Sequence, residues 1–177
     1  PWFYQRFADE IVVSTPDLLE WAPERATWIP RPVSVKSLTP QYPELKEFDP
    51  IRVVHATTNR EVKGTEFVVY AVDSLISKGF DIDLRIIEGV NHSQALQIYR
   101  TADIIIDWVN PDYGLYGMFG IEAMALGKPV IASISGTVED HLPDGCPVLN
   151  THPEDLESEL RNLVDDKTSL KTIGEKS

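Results

Sequence analysis

The chain has 177 residues, 42% apolar and 25% charged, a globular composition long enough to bury one substantial core. That excludes disorder of the whole, and no run of about 18 apolar residues offers a membrane-spanning helix. With 28 acidic against 16 basic side chains the net charge is −12, a poor match for nucleic-acid backbone, and the lone Cys146 excludes an internal disulfide or a thiolate zinc cluster.

Eight of the 13 prolines fall in the first 50 residues, whereas all 10 glycines follow residue 63. The chain changes character near Pro50, which marks a boundary. Before it, residues 9–35 read as a small unit. Ile11 to Val13 is a short strand, and Ser14-Thr15-Pro16-Asp17 is a helix start with a hydroxyl cap and proline at the first helical position. Ala26 to Ile29 is another extended piece, and Pro30 to Pro50 reads as a proline-rich linker.

After Pro50 strands and helices alternate. Ile51 to Ala56 is a short apolar run typical of a parallel strand buried on both faces. A helix is expected over Gly64 to Lys78, with stripes Phe67, Ala71, Leu75 and Val68, Val72, Ile76 at spacing four, stopped by Gly79. Leu84 to Ile87 is a strand, Asn91 to Ala102 a short helix, and Asp103 to Trp108 a third strand. A glycine-bearing loop, 109–117, leads into a helix carrying Ile121, Met124 and Ala125 and stopped by Gly127. Pro129 to Ala132 and Pro147 to Leu149 are further strands, and Pro153 opens a last helix with Leu156, Leu160, Leu163 and Val164 on one face. This order implies an α/β, Rossmann-like three-layer domain with an open parallel sheet.

In such a sheet ligands bind outside the C-terminal strand ends, on loops 57–63, 88–93, 109–117 and 133–139. Arg60 and Lys63 stand there beside a helix start and form a candidate anion site; the alternative is two solvated surface cations. Between residues 101 and 160 the only Lys or Arg is Lys128, so backbone amides near Gly114, Gly117 and Gly120 would have to help cradle a phosphate or sugar. Glu122, on the following helix, could accept from two neighbouring hydroxyls, or face solvent. The four histidines show no metal spacing; His55 reads as a satisfied core residue and His92 as a helix start or a ligand contact. Asp107 and Asp112 near the third strand end lack a partner carboxylate for a metal site.

The stretch from Ala102 through Gly117 to Ile131, above all Glu122-Ala123-Met124-Ala125-Leu126-Gly127-Lys128-Pro129-Val130-Ile131, resembles the donor-binding half of a family 4 glycosyltransferase, a retaining two-domain GT-B enzyme. Asn59-Arg60-Glu61-Val62-Lys63-Gly64-Thr65 resembles that family's phosphate loop, and Ser135-Gly136-Thr137-Val138-Glu139 its glycine-containing loop followed by Glu. The resemblance covers roughly residues 51–165, and Ala8 to Ser14 looks like the end of an acceptor domain. It implies the C-terminal half of a GT-B fold: residues 1–50 as the tail of the acceptor domain plus linker, and 51–177 as a C-terminally truncated nucleotide-sugar domain.

The implied activity is transfer of a hexose-type sugar from a nucleoside-diphosphate sugar to a glycan or lipid-linked acceptor. It needs no metal and no cofactor beyond the sugar nucleotide. Arg60 and Lys63 would neutralise the leaving diphosphate, and Glu122 would hold the ribose. Val90, Asp112, Tyr116, Gly117, Met118 and Phe119 would complete the donor site. The resemblance further implies a cytoplasmic enzyme of polysaccharide biosynthesis, with room for peripheral membrane association of the full-length protein. Without its N-terminal acceptor domain this piece should bind donor and transfer little.

Three features depart from the family pattern. The first of the two motif carboxylates falls on Gly114, with Asp112 as a stand-in; the Arg60-to-Lys63 spacing is short; and a single strand-helix unit lies between Gly79 and Asp103. The first favours an alternative, a noncatalytic nucleotide-sugar binding module. A sugar-nucleotide epimerase of the same fold is a further alternative, opposed by the run from Glu122 to Ile131.

Overall fold

The computed structural model describes residues 2–34 and 36–177; Pro1 and Val35, both within the expected N-terminal segment, lie outside the described residues. Helix α1 (Trp2–Phe7) precedes a two-stranded parallel sheet in which β1 (Val12–Val13) lies beside β2 (Thr27–Trp28). A 3-10 helix, Pro16–Trp21, connects them. Pro16 stands at its start as its fixed φ favours, but Thr15 makes no side-chain cap bond. From Pro30 to Pro50 no described residue is in a helix or strand, and the segment packs against the larger domain through Val33, Leu38 and Leu45. Leu38 is buried, Gln41 N–H donates to the Leu126 carbonyl at 2.8 Å, and Lys167 Nζ donates to the Glu47 and Asp49 carbonyls at 2.9 and 2.7 Å.

The larger sheet is built from β3 (Ile51–Ala56), β4 (Ile82–Ile87), β5 (Ile104–Ile106), β6 (Val130–Ala132) and β7 (Leu149–Asn150). All neighbours pair in parallel, in the order β4-β3-β5-β6-β7. Side chains alternate across it with the period of two that a strand imposes. Ile51, Val53, Ile104, Ile106 and Ile131 enter one core, and Val54, Ile105 and Val130 the other. Helices cover both faces: α3 (Thr65–Ser77), α7 (Leu156–Asp165) and α8 (Lys167–Glu175) on the first, α4 (His92–Thr101) and α5 (Met118–Ala125) on the second. The domain is the expected α/β, three-layer, Rossmann-like type. Only β4 and α4 lie between Gly79 and Asp103, so the sheet stays at five strands.

Two local differences have simple causes. The helix expected from Gly64 is preceded by α2 (Arg60–Lys63), which Asn59 caps by accepting from the Val62 N–H at 3.2 Å. Gly64, at φ +72°, turns the chain from α2 into α3, and a Cβ there would lie 2.7 Å from the Asn110 nitrogen. Only glycine satisfies both demands. In α3 the sheet buries Val68, Ala71, Val72 and Leu75, whereas Phe67 and Ile76, expected within the stripes, stay 43% and 45% exposed. A helix this short of neighbours on its flanks buries one stripe and leaves the adjacent positions at the rim. Among the described residues no helix is long and apolar enough to cross a membrane.

Charge is also buried at the end of the sheet away from the ligand loops. Asp103, fully buried, accepts from Arg52 Nε and a terminal guanidinium nitrogen at 2.7 Å each and from the Arg52 backbone N–H at 2.9 Å. Lys128, 2% exposed, is pushed down to about 8 by burial; Asp103 opposes the shift, and Arg52 and Arg100 add to it. The unfolded chain therefore holds a proton that the folded chain has lost between pH 8 and 10.5. Stability should rise with pH through that window, by about 3 kcal/mol from this group. Lys128→Met is expected to be more stable than the parent at pH 7 and to lose this rise. Urea unfolding of both proteins at pH 7, 8 and 10 checks it; an unchanged pH dependence would refute it.

Candidate functional site

The strand order sets the place. From β3 the chain crosses to one side, through α3 to β4, and later returns to the other side at β5. The connections diverge between β3 and β5, which leaves a crevice outside their C-terminal ends. Thr57 follows β3 there, and Asp107 and Trp108 follow β5.

Asp107 organises this crevice. It is fully buried, and its two oxygens face different groups. Oδ1 accepts from Lys63 Nζ at 2.5 Å; Oδ2 accepts from the backbone N–H of Gly117 at 2.6 Å and of Gly120 at 3.1 Å. The carboxylate thus ties β5, α2 and the first turn of α5 together, at the helix end where negative charge is favoured. Lys63 is 12% exposed, and its ammonium lies 4.5 Å from the Trp108 ring centroid. Burial pushes Lys63 below its ordinary value, while Asp107 pulls it back up. Beneath it, His55 bonds the Ile106 carbonyl through Nδ1 and Thr65 Oγ1 through Nε2, both at 2.9 Å. Burial lowers the His55 pKa, so this histidine is the satisfied core residue that its apolar strand suggests.

The other expected site residues are also paired. Arg60 makes a two-pronged bond to Glu88, with both distances 2.9 Å, on the exposed rim. The pair lowers the Glu88 pKa and raises that of Arg60. Glu122, 12% exposed, accepts from His92 Nε2 at 2.7 Å, so the first residue of α4 meets α5. Each cationic group on these loops is therefore matched by a carboxylate of the same chain.

Two adjoining clefts open at these loops. The larger one, about 460 Å³, is lined by Thr57, Thr58, Lys63, Val90, Met118 and Phe119 among others. By helix geometry the N–H groups of Met118 and Phe119, at the start of α5, lack intrahelical partners. The second, about 240 Å³, lies between the N-terminal unit and the strand-end loops, and Ser14, Trp28, Tyr116 and Leu142 line it. Arg31, Trp108, Gly117 and Met118 line both. Of the expected residues, Lys63, Val90, Gly117, Met118 and Phe119 thus meet at the larger cleft and Tyr116 at the second. Arg60 and Glu122 line neither, standing at the edges with Glu88 and His92. Asp112 is exposed on its loop and lines neither cleft; its N–H is held by Asn110 Oδ1 at 3.0 Å.

Gly114 explains why the first motif carboxylate is absent. Its φ is +48°, its carbonyl accepts from the Ser135 N–H at 2.8 Å, and a Cβ would lie 2.5 Å from Ser135 Cβ. The loop after β6 occupies the space that an acidic side chain would need. Among the described residues no cluster of His, Cys, Asp and Glu could hold a metal ion.

Sequence reasoning treated Asp107 only as a metal candidate and did not single out Glu88, Trp108 or Arg31. An acid directly after a buried Ile-Ile-Ile strand and before a glycine-bearing loop is the signal that marks Asp107. The other three have no comparable local mark.

No protein-family model matches the chain, and no curated protein matches it. Solved structures do. Sucrose-phosphate synthase from Thermosynechococcus elongatus is 20% identical, with 96% of this chain covering 52% of that one at a TM-score of 0.67. HepE from Anabaena, solved with UDP and glucose, is 14% identical, with 97% of this chain covering 57% of that one at a TM-score of 0.70. The C-terminal domain of a glycosyl transferase group 1 family protein, LpcC, from Francisella tularensis is 17% identical, with 82% covering 94% at a TM-score of 0.58. The chain spans about half the length of the first two. At these identities the likeness carries the fold, which is that of the C-terminal domain of GT-B glycosyltransferases.

Proposed function

We propose that this chain is the donor-binding half of a glycosyltransferase that moves a hexose-type sugar from a nucleoside-diphosphate sugar to a glycan or lipid acceptor. One observation supports it most. The larger cleft sits at the switch point of the sheet, holds Lys63 and the first turn of α5, and has no Asp or Glu among its lining residues. In a chain with 28 acidic side chains, that selects for an anion.

In this reading the diphosphate lies between Lys63 and the Met118 and Phe119 amides, with the nucleoside toward Val90. Glu122 is close enough to α4 to take ribose hydroxyls in exchange for His92, and Arg60 reaches the phosphates by leaving Glu88. As the sugar–phosphate bond breaks, charge accumulates on the departing diphosphate, and the fixed ammonium and amides stabilise it. A retaining course follows from the family resemblance. Residues 1–50 are read as the end of an acceptor domain with its linker, and 51–177 as the donor domain.

Calorimetric titration of the folded chain with UDP, GDP and ADP tests the reading. Saturable binding of at least one is expected, with no need of added metal; failure of all three overturns it. A second reading, a noncatalytic nucleotide-sugar binding module, is favoured by the space at Gly114 that Ser135 fills. Sugar transfer by a longer protein that includes an acceptor domain would dismiss it.

A further inference from the structure

We propose that Arg31, supplied by the N-terminal unit, is the uncommitted cation of the donor site and grips the diphosphate from the side opposite Lys63. This rests on the donor-binding reading and adds to it a residue outside the sheet domain.

Four observations converge on Arg31. It lines both clefts, so it stands where they join. Among the described residues its guanidinium makes one hydrogen bond, to Ser14 Oγ at 3.3 Å, and no ion pair with a carboxylate. Arg60 and Lys63, in contrast, are already matched by Glu88 and Asp107. An incoming phosphate must compete with a carboxylate for those two cations, but not for Arg31. Neither cleft has an Asp or Glu among its lining residues, so the charge of Arg31 has no acidic neighbour within them.

The backbone is prepared for this role. Arg31 lies between Pro30 and Pro32, which restrict the backbone on both sides and hold Arg31 itself extended. The Ile29 N–H donates to the Val13 carbonyl at 3.1 Å, which fixes the approach to the Pro-Arg-Pro segment. Little backbone entropy remains to be lost when the guanidinium is engaged. Trp28 and Trp108 line the second cleft as well, and their indole nitrogens are buried without a hydrogen-bond partner among the described residues. A guanidinium fork where two clefts without lining carboxylates join suits a ligand rich in oxygen and negative charge, and a diphosphate-linked sugar is such a ligand.

Calorimetry on the whole chain, its Arg31→Gln variant and its Arg31→Lys variant, each titrated with UDP, GDP, ADP and uridine, separates this inference from the reading beneath it. If the unmodified chain binds none of the diphosphates, the donor-binding reading itself fails. If it binds one, Arg31→Gln is expected to weaken that diphosphate at least tenfold and Arg31→Lys to recover part of the loss. Thermal unfolding should be unchanged, because the side chain is exposed and bonded only to Ser14. Diphosphate affinity within twofold of the parent in Arg31→Gln overturns the inference and leaves the reading standing. An equal weakening of uridine and UDP overturns it as well, since uridine has no phosphate for Arg31 to hold.

Discussion

Asp107→Asn is expected to cost the fold about 3–5 kcal/mol, the usual penalty for removing one partner of a buried ion pair. The two oxygens of Asp107 accept from opposite sides, Lys63 on one and the Gly117 and Gly120 amides on the other. Asparagine offers one oxygen and one NH2 group, so whichever way it turns, a donor faces a donor. The Lys63 ammonium, 12% exposed, loses its counter-ion at the same time. Burial already holds Lys63 below its ordinary value, and without Asp107 nothing in the pair opposes that fall. The variant should therefore shed the Lys63 proton on folding, and the penalty should shrink as the pH is raised and the amine becomes neutral in the unfolded chain too. Urea unfolding at pH 7 and pH 10 measures both effects. A loss under 1 kcal/mol at pH 7, or a penalty that grows with pH, would mean that Asp107 does not organise the crevice.

Lys63→Met is expected to reduce nucleoside-diphosphate affinity about a hundredfold, the upper range for losing a hydrogen bond to a charged group. Removing the ammonium takes the buried cation from the larger cleft and leaves the Asp107 carboxylate facing the anion. The fold should survive with reduced stability, because Asp107 keeps the two amide donors of α5. Arg60→Ala should cost less than tenfold. Its guanidinium is half exposed, lines neither cleft and must leave a two-pronged bond to Glu88 before it can reach a ligand. Competition of this kind, in a high-dielectric setting, leaves little net gain. Titration of both variants with the diphosphate that the parent binds gives the ranking. A larger loss for Arg60 than for Lys63 would show that the rim rearranges on binding and would move the phosphate site toward β4.

Most of the architecture was legible because it is locally encoded. The apolar run at 51–56, the four leucine and valine positions of α7 and the Asn91 start of α4 all appear where the residue pattern places them. Asn91 even forms a reciprocal cap with Gln94. Helix α1 and helix α6 (Gly136–Glu139) carry no such signal because both are short, whereas the helical C-terminus, expected from the family resemblance over Leu170 to Ser177, is α8, which follows a turn at Asp166. Phe67 and Ile76 show the limit of periodicity: spacing says which side chains share a face, but the width of the neighbouring layer says which of them it covers.

The candidate site divides along the same line. From residue order came the α/β class, the loops at the strand ends, the Arg60–Lys63 pair and the glycines at 114, 117 and 120, while the family resemblance implied the roles of Met118 and Phe119 and the missing acid at position 114. Such features depend on residues within a few positions of one another. The partners that set the electrostatics are far apart in sequence: Arg60 and Glu88 by 28 residues, His92 and Glu122 by 30, Lys63 and Asp107 by 44. Arg31 reaches the clefts from the start of the proline-rich segment. No spacing rule spans such distances. The crossings of the sheet bring these charges together, and the dielectric around each pair then decides which cation is spoken for and which is left to meet a ligand.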